Sequence, residues 1–403
     1  MQPKWGHFYC VATGAPADIK PSRRLAREAI RISRQPVMHS WLEVPAEERS
    51  VEYTTNTQYG CAICAPLADD PGWALYIVGR PSDATRKEDL KFAGLVADIF
   101  GQLRQVRDLQ KRRRLFEGFM SPKVIAYLAN LRNQKVNEIL KPSTCNITVL
   151  FCDLRGFSRL SEQDDDLQAI CDRVSEALRI MTRNIIQAGG VIGDFHGDAA
   201  MGFWGWPEQT DDQVKHAANA ALGILREFKQ VRQTPKHSLA EFACGIGIAH
   251  GPGIAGRLGT ADQFKVTVFG PVVNLAARLE LMTRYWGVPI LLDENAAEGL
   301  SSMDATQMRV RRLAKVQPFG MTRTTLIHEL LPPSHEEDSL SETAQADYDA
   351  ALENFFTGRW VLTRNLIENW AATDGPSQIL LDYVNTHDLP PRPWPGIMVM
   401  DKK

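Results

Sequence analysis

Asn146-Ile147-Thr148-Val149-Leu150-Phe151-Cys152 is an apolar, β-branched run that stops on Asp153. Its length and composition predict a buried strand. Helical periodicity follows over about 166–188 and halts at Gly189-Gly190. Val191-Ile192 and Ala199 to Trp204 then flank Asp194-Phe195-His196-Gly197-Asp198, which reads as a hairpin. A helix over about 211–231, strands over about 240–249 and 264–269, and a helix over about 271–285 complete the pattern. The order β-α-β-β-α-β predicts a ferredoxin-like α+β sandwich.

Before this core, Gly60 to Leu67 and Trp73 to Gly79 read as two strands joined at Asp69-Asp70-Pro71-Gly72. A helix is expected from Lys87, with Leu90, Leu95, Val96, Ile99, Phe100 and Leu103 at helical spacing. A strand pair with a long exit helix resembles the C-terminal half of a GAF sensor domain, placed here over 1–105 with an unknown ligand. Residues 106–143 are expected to be a helical connector whose basic run, Lys111 to Arg114, is a solvated face, with Lys141-Pro142-Ser143 at the boundary. The core domain is assigned to 144–332 and a helical, aromatic-rich extension to 340–403 (Tyr348, Phe355, Phe356, Trp360, Trp370), ending in a proline-rich extended tail. One helix pair cannot bury its own apolar face, so the extension is expected to pack on the core domain.

Composition excludes several classes. The 403 residues are 44% hydrophobic and 23% charged with a net charge of −2, which argues against disorder and against a nucleic-acid partner. No run of about 18 apolar residues suggests a membrane span, and the first residues lack an apolar signal core. Seven cysteines, at 10, 61, 64, 145, 152, 171 and 244, are sparse and odd in number, which points to a reduced, cytoplasmic protein. Cys61 and Cys64 have no second pair at finger-like spacing, so they read as buried strand residues.

Asp153 and Asp198 stand out by position. One ends a buried strand; the other sits at a hairpin tip about 45 residues later. In a β-α-β-β unit these are neighbours, and paired carboxylates suit Mg²⁺ or Mn²⁺ in phosphoryl or nucleotidyl transfer. Leu154-Arg155-Gly156-Phe157 gives a permissive turn whose amides can face phosphate oxygens. Three segments follow in order: Phe151 to Ser158, Gly189 to Asp198, and Val268-Phe269-Gly270-Pro271-Val272-Val273-Asn274-Leu275-Ala276-Ala277-Arg278-Leu279-Glu280. Together they resemble the catalytic domain of class III adenylate/guanylate cyclases.

That resemblance implies a cyclase making a 3′,5′-cyclic monophosphate from ATP or GTP. It assigns two divalent cations, Mg²⁺ or Mn²⁺, to Asp153 and Asp198, and makes Asn274 and Arg278 the pair that orients the ribose and stabilises the transition state. Two catalytic domains would meet head to tail, so a homodimer with two sites is implied. The family's two base-reading positions fall on Asp194, where adenylate cyclases mostly carry Lys and guanylate cyclases Glu, and on Thr267. A carboxylate accepts only and a hydroxyl does either, which leans the expectation to GTP. Lys265, two residues before Thr267 on the same strand face, is the complication: by neutralising Asp194 it would restore ATP use. Phe319 stands where many members carry a phosphate-contacting lysine, with Lys315 or Arg323 as substitutes. A nucleotide-binding regulatory module without turnover is the alternative class.

Overall fold

The computed structural model describes residues 21–41, 60–68, 72–79, 86–117, 120–131, 133–157, 166–234, 236–260, 262–318, 321–336, 339–387 and 389–400. They fall into two units, one up to Phe116 and one from Glu117. Among the described residues no helix is long and apolar enough to cross a membrane.

In the first unit, α1 (Arg23–Arg27) runs into a π-helical turn (Glu28–Ser33) and is followed by β1 (Val37–Ser40), β2 (Cys61–Pro66), β3 (Ala74–Gly79) and α2 (Arg86–Glu117). The strands form one antiparallel sheet in that order. The alternation of β2 sorts its side chains: Ala62 and Cys64 pack with Leu25 and Ala29, whereas Ile63 and Ala65 pack with Ala93 and Ala97 of α2. Cys61 and Cys64, three apart, therefore face opposite sides. The stretch that reads as irregular from sequence contains α1 and β1.

The second unit opens with α3 (Pro122–Ala129) and α4 (Asn133–Ile139), then β4 (Ser143–Arg155), α5 (Leu167–Gln187), β5 (Val191–His196), β6 (Ala199–Trp204), α6 (Gln213–Gln233) and β7 (Ala243–Gly259). β8 (Phe264–Phe269), α7 (Pro271–Trp286), β9 (Ile290–Leu292), α8 (Glu294–Glu298), β10 (Arg309–Gln317) and β11 (Thr325–Leu331) follow. Three helices, α9 (Glu342–Phe356), α10 (Trp360–Ile367) and α11 (Gly375–Thr386), precede a short β12 (Met398–Val399). Among the described residues the strands make a nine-stranded sheet in the order β12-β10-β11-β9-β7-β4-β6-β5, with β8 paired to the far end of β7. The segment β7-β4-β6-β5 has the antiparallel order of a ferredoxin-like unit.

β4 is central and buried on both sides, so its alternation divides the domain into two layers. Leu150, Cys152 and Leu154 face α5 and α6; Ile147 and Val149 face α7. β7 repeats this division more sharply. Its even positions Cys244, Ile246 and Ile248 fill the α5/α6 layer, whereas every odd position from 243 to 255 is Ala or Gly. This small-residue lane lets α7 lie directly on the sheet: a Cβ at Gly247 would sit 2.2 Å from the Ala276 carbonyl oxygen and 2.3 Å from the Glu280 amide nitrogen.

The carboxyl-terminal helices cover the same face. Tyr348, Leu352, Phe355, Trp360 and Leu380 join Trp286, Leu313, Val316 and Ile327 in one core. A buried ion cluster pins them. Arg311 of β10 donates to both oxygens of Asp374 at 2.8 and 2.6 Å, lies 3.4 Å from a Glu329 oxygen and stacks 4.0 Å over the Tyr348 ring. Asp374 in turn caps α11 through the Ser377 amide. Gln345 and Tyr348 donate to the β10 carbonyls of Val310 and Leu313, and the Met400 amide donates to that of Gln317.

The lane makes a direct prediction. Gly247→Ala is expected to lower unfolding stability by about 1–3 kcal/mol, read by urea denaturation, because its neighbour is helix backbone and cannot rotate away. An unchanged midpoint would contradict the close approach.

Candidate active site

Asp153 is the last carboxylate of β4, and its alternation puts it on the α7 face. It pairs in register with Gly245. Because Gly245 carries no side chain, Glu280 of α7 fills the gap: a Cβ there would lie 2.9 Å from Glu280 Oε1 and 2.5 Å from Thr283 Oγ1. Asp198 arrives from the other side. β5 and β6 close with His196 opposite Ala199, leaving Gly197-Asp198 as a two-residue turn in which Gly197 adopts a left-handed φ of 64°. β6 pairs Ala200 with Cys152, so the turn brings Asp198 beside Asp153.

Burial and crowding disfavour the charged forms of these carboxyls. Burial, then repulsion from Asp198, pushes Asp153 up to about 6, against the Leu154 amide donating to its Oδ1 at 3.0 Å. Burial also raises Asp198. Glu280 reaches about 7 through burial and then the Asp153 charge, despite Arg155 and Arg284 nearby. Among the described residues no ion pair neutralises Asp153 or Asp198. Two crowded, half-buried carboxylates with hard oxygen donors fit divalent cations of the Mg²⁺ or Mn²⁺ kind. Among the described residues no cluster of three or more His, Cys, Asp or Glu gathers.

The turn after Asp153 turns most of its side chains inward. Leu154 is buried, Arg155 donates from Nη2 to the Val288 carbonyl at 2.6 Å, and the Phe157 ring packs against Phe242 at 6.4 Å. Gly156 has a φ of 93°. What this loop leaves for a phosphate is backbone.

Asn274 and Arg278 lie elsewhere. With Pro271, Ala277, Leu281 and Met321 they line a cavity of about 430 Å³. At about 100° per residue, Glu280 is roughly 120–160° around α7 from this pair. One face of α7 thus serves the aspartates while another carries the Asn/Arg pair away from them. Arg323 is exposed on an adjoining cleft of about 520 Å³ with His250, Phe269 and Asp293; Lys315 is exposed on β10. Phe319 lies outside the described residues.

Asp194, Lys265 and Thr267, the residues expected to read the base, do lie close together. β5 packs on β8, and Lys265 Nζ donates to both Asp194 oxygens at 2.9 Å. Burial opposes ionisation of Asp194, but Lys265 and the Phe195 amide outweigh it and hold the carboxyl below its ordinary range. Thr267 Oγ1 lies 3.3 Å from where a Cβ on Gly193 would be, which puts its hydroxyl next to the residue preceding Asp194. Sequence reading missed Glu280 as a member of this constellation; its only sequence signal is its offset of six residues from Asn274.

Residues 139–317 match the model of the Adenylate and Guanylate cyclase catalytic domain. Over this part the chain is similar to adenylate/guanylate cyclase catalytic domains. The adenylate cyclase of Anabaena cylindrica is 32% identical over 204 residues, covering 50% of this chain and 40% of its own length. Adenylate cyclase 1 of Rhizobium meliloti is 25% identical over 186 residues, covering 46% of this chain and 27% of its own. The matches thus span less than half of these relatives. Among solved structures, a bacterial light-regulated adenylyl cyclase overlaps 59% of this chain and 65% of that one at 25% identity and a TM-score of 0.49. The guanylyl cyclase Cya2 overlaps 49% of this chain and 98% of that one at 25% identity and a TM-score of 0.40.

The raised carboxyls give a pH prediction. Asp153 must be ionised to hold a cation, and with a value of about 6 it loses its charge as pH falls below that. Mn²⁺ affinity measured by calorimetry is expected to drop about tenfold from pH 7.5 to pH 5. Equal affinity at both values would contradict the assignment.

Proposed function

We propose that the protein converts a purine nucleoside triphosphate to its 3′,5′-cyclic monophosphate and pyrophosphate, at sites shared between two copies arranged head to tail. The observation that carries this is the split presentation on α7, which holds Asn274 and Arg278 away from the same chain's Asp153 and Asp198. A second copy supplies what the first cannot bring together.

Asp153 and Asp198 of one copy would hold two divalent cations, which when bound acidify the ribose 3′-hydroxyl and offset triphosphate charge. Asn274 of the other copy hydrogen-bonds the ribose and fixes the line of attack. Arg278, one turn later on the same face, donates to an α-phosphate oxygen as negative charge moves toward the leaving group. The 3′-oxygen forms its bond to the α-phosphorus, the bond to the β-phosphate bridge breaks, and pyrophosphate departs. Glu280 and Arg155 position Asp153 from behind. The amino-terminal unit, with its sheet and long exit helix, is read as a GAF-like input module.

ATP is the proposed substrate. The lean to guanine depends on an unengaged Asp194 carboxylate, and both its oxygens already accept from Lys265. Lys265 retains a third N–H, which suits the acceptor at adenine N1, and Thr267 can accept from N6. The relatives from Anabaena and Rhizobium are both named adenylate cyclases, which supports the same choice.

Two tests follow from this reading. Asp198→Ala and Arg278→Ala should each lose activity by at least about a hundredfold. Mixed in equal amounts they should recover about one quarter of wild-type turnover, since half of random dimers contain one intact site of two. No recovery on mixing would overturn the shared site, and no product from wild type with either triphosphate would leave a regulatory module. In a paired assay Lys265→Ala should lower kcat/KM for ATP about tenfold or more and shift preference toward GTP, because the freed Asp194 then accepts from guanine. An unaltered ratio would sink the substrate assignment.

A further inference from the structure

Asn274 and Arg278 stand where α7 puts them, and α7 is gripped at two places. Its middle sits on the small-residue lane, where Gly247 faces the Ala276 carbonyl oxygen and the Glu280 amide. Its end meets the start of α11. A Cβ on Gly375 would come 2.7 Å from the Trp286 carbonyl oxygen and 3.2 Å from the Gly287 Cα, so backbone rests on backbone there. Trp286 is buried, its indole N–H has no partner among the described residues, and Gly287 closes the helix with a left-handed φ of 65°. Arg155 also reaches this end, donating to the Val288 carbonyl at 2.6 Å, but a side chain yields where a helix start does not.

The start of α11 is held from several sides. Asp374, one residue before the contact, accepts from Arg311 Nη1 and Nη2 and from the Ser377 amide at 3.0 Å. Its own amide donates to the Trp370 carbonyl at 2.9 Å. Arg311 is buried on β10 and lies against the Tyr348 ring of α9, whose hydroxyl donates to the Leu313 carbonyl of β10 at 2.9 Å. The sheet thus fixes α11, and α11 fixes one end of α7. Close-packed elements pass on such a contact as strain and not as a dent. With the lane as pivot at the level of Arg278, Trp286 lies eight residues, about 12 Å, to one side and Asn274 four residues, about 6 Å, to the other. A shift of about 1 Å at Trp286 therefore swings Asn274 by about half as much the opposite way. Where a misplacement of about 1 Å costs a hundredfold in rate, half of that costs roughly tenfold.

We propose that Asp374 and Gly375 are positioning residues: the start of α11 sets the tilt of α7, and with it the placement of Asn274 and Arg278. This rests on the shared-site reading above. The decisive variant is full-length Gly375→Ala, because alanine suits a first helical turn and the change acts through the Trp286 contact. It should turn over about tenfold more slowly than wild type. Mixed in equal amounts with Asp198→Ala it should recover to about one quarter of wild-type turnover, because its aspartates then meet the undisturbed α7 of the other copy. Mixed with Arg278→Ala it should not rise above its own diluted rate. Asp374→Asn, the second variant, should behave in the same way. Equal recovery with both partners, the mark of a merely destabilised fold, overturns the proposal, as do recovery with Arg278→Ala alone and undiminished turnover. Hydrogen exchange followed by mass spectrometry reads α7 without turnover: amides of 271–286 should exchange about tenfold faster in Gly375→Ala while those of β4 keep their rates. Unchanged exchange of α7 overturns the proposal even where the shared site stands. If Asp198→Ala and Arg278→Ala fail to recover each other, the shared site falls, and the exchange of α7 by itself decides whether α11 positions that helix.

Discussion

The second unit depends on one steric constraint: α7 can touch the sheet only because β7 offers it no side chains larger than methyl. Gly245 and Gly247 bring the helix backbone to within contact of the strand, and the same gap admits the Glu280 carboxylate beside Asp153. A helix held further out would leave Asp153 in water with an ordinary acidity. Held close, it becomes part of a crowded acidic group in which burial and the Asp198 charge raise its pKa. The orientation of Asn274 and Arg278 follows from the same contact, since fixing one face of a helix fixes the others. Packing, electrostatics and the separation of Asn274 and Arg278 from the aspartates thus share a single origin in the period-two pattern of one strand.

The unit uses ion pairs in two different ways. Arg311 is 1% exposed and satisfies Asp374 while facing Glu329, whose carboxyl burial pushes up to about 7. Removing one member of such a cluster strands the rest, at a cost of roughly 3–5 kcal/mol. The Asp194–Lys265 pair lies at the surface, where an ion pair contributes about 0–1 kcal/mol. The first pair is fixed structure; the second can rearrange at little expense.

Much of this architecture is legible in the sequence because the signals are local. The run from Asn146 to Cys152, the Gly189-Gly190 stop and the hairpin around Gly197 mark elements that occur within a few residues of their expected bounds. β7 is harder: it continues to Gly259 past Gly251, Pro252, Gly253 and Gly256, residues that ordinarily end strands. Pro252 is tolerated because on that edge β9 pairs only with Ile246 to Ile248 and β8 begins at Ile254, so its missing N–H faces a gap in the ladder. Asp153, Asp198 and the Asn274/Arg278 pair are recognisable from the words around them. Glu280 is not, because nothing local places a helix carboxylate against a strand end; only the absent side chain of Gly245 does. Arg155 shows the converse, a residue of the turn whose strand face sends it to Val288.

The contacts from α9 and β12 to β10 reach beyond anchoring. A sheet this wide ends in a strand whose outer carbonyls and amides form a template for any extended chain that drifts by. Here Gln345, Tyr348 and the Met400 amide occupy the carbonyls of Val310, Leu313 and Gln317, so the template is blocked. Ending the chain at β11 would unblock it and expose the strand to edge-to-edge pairing. The extension thereby guards the sheet against unspecific strand addition.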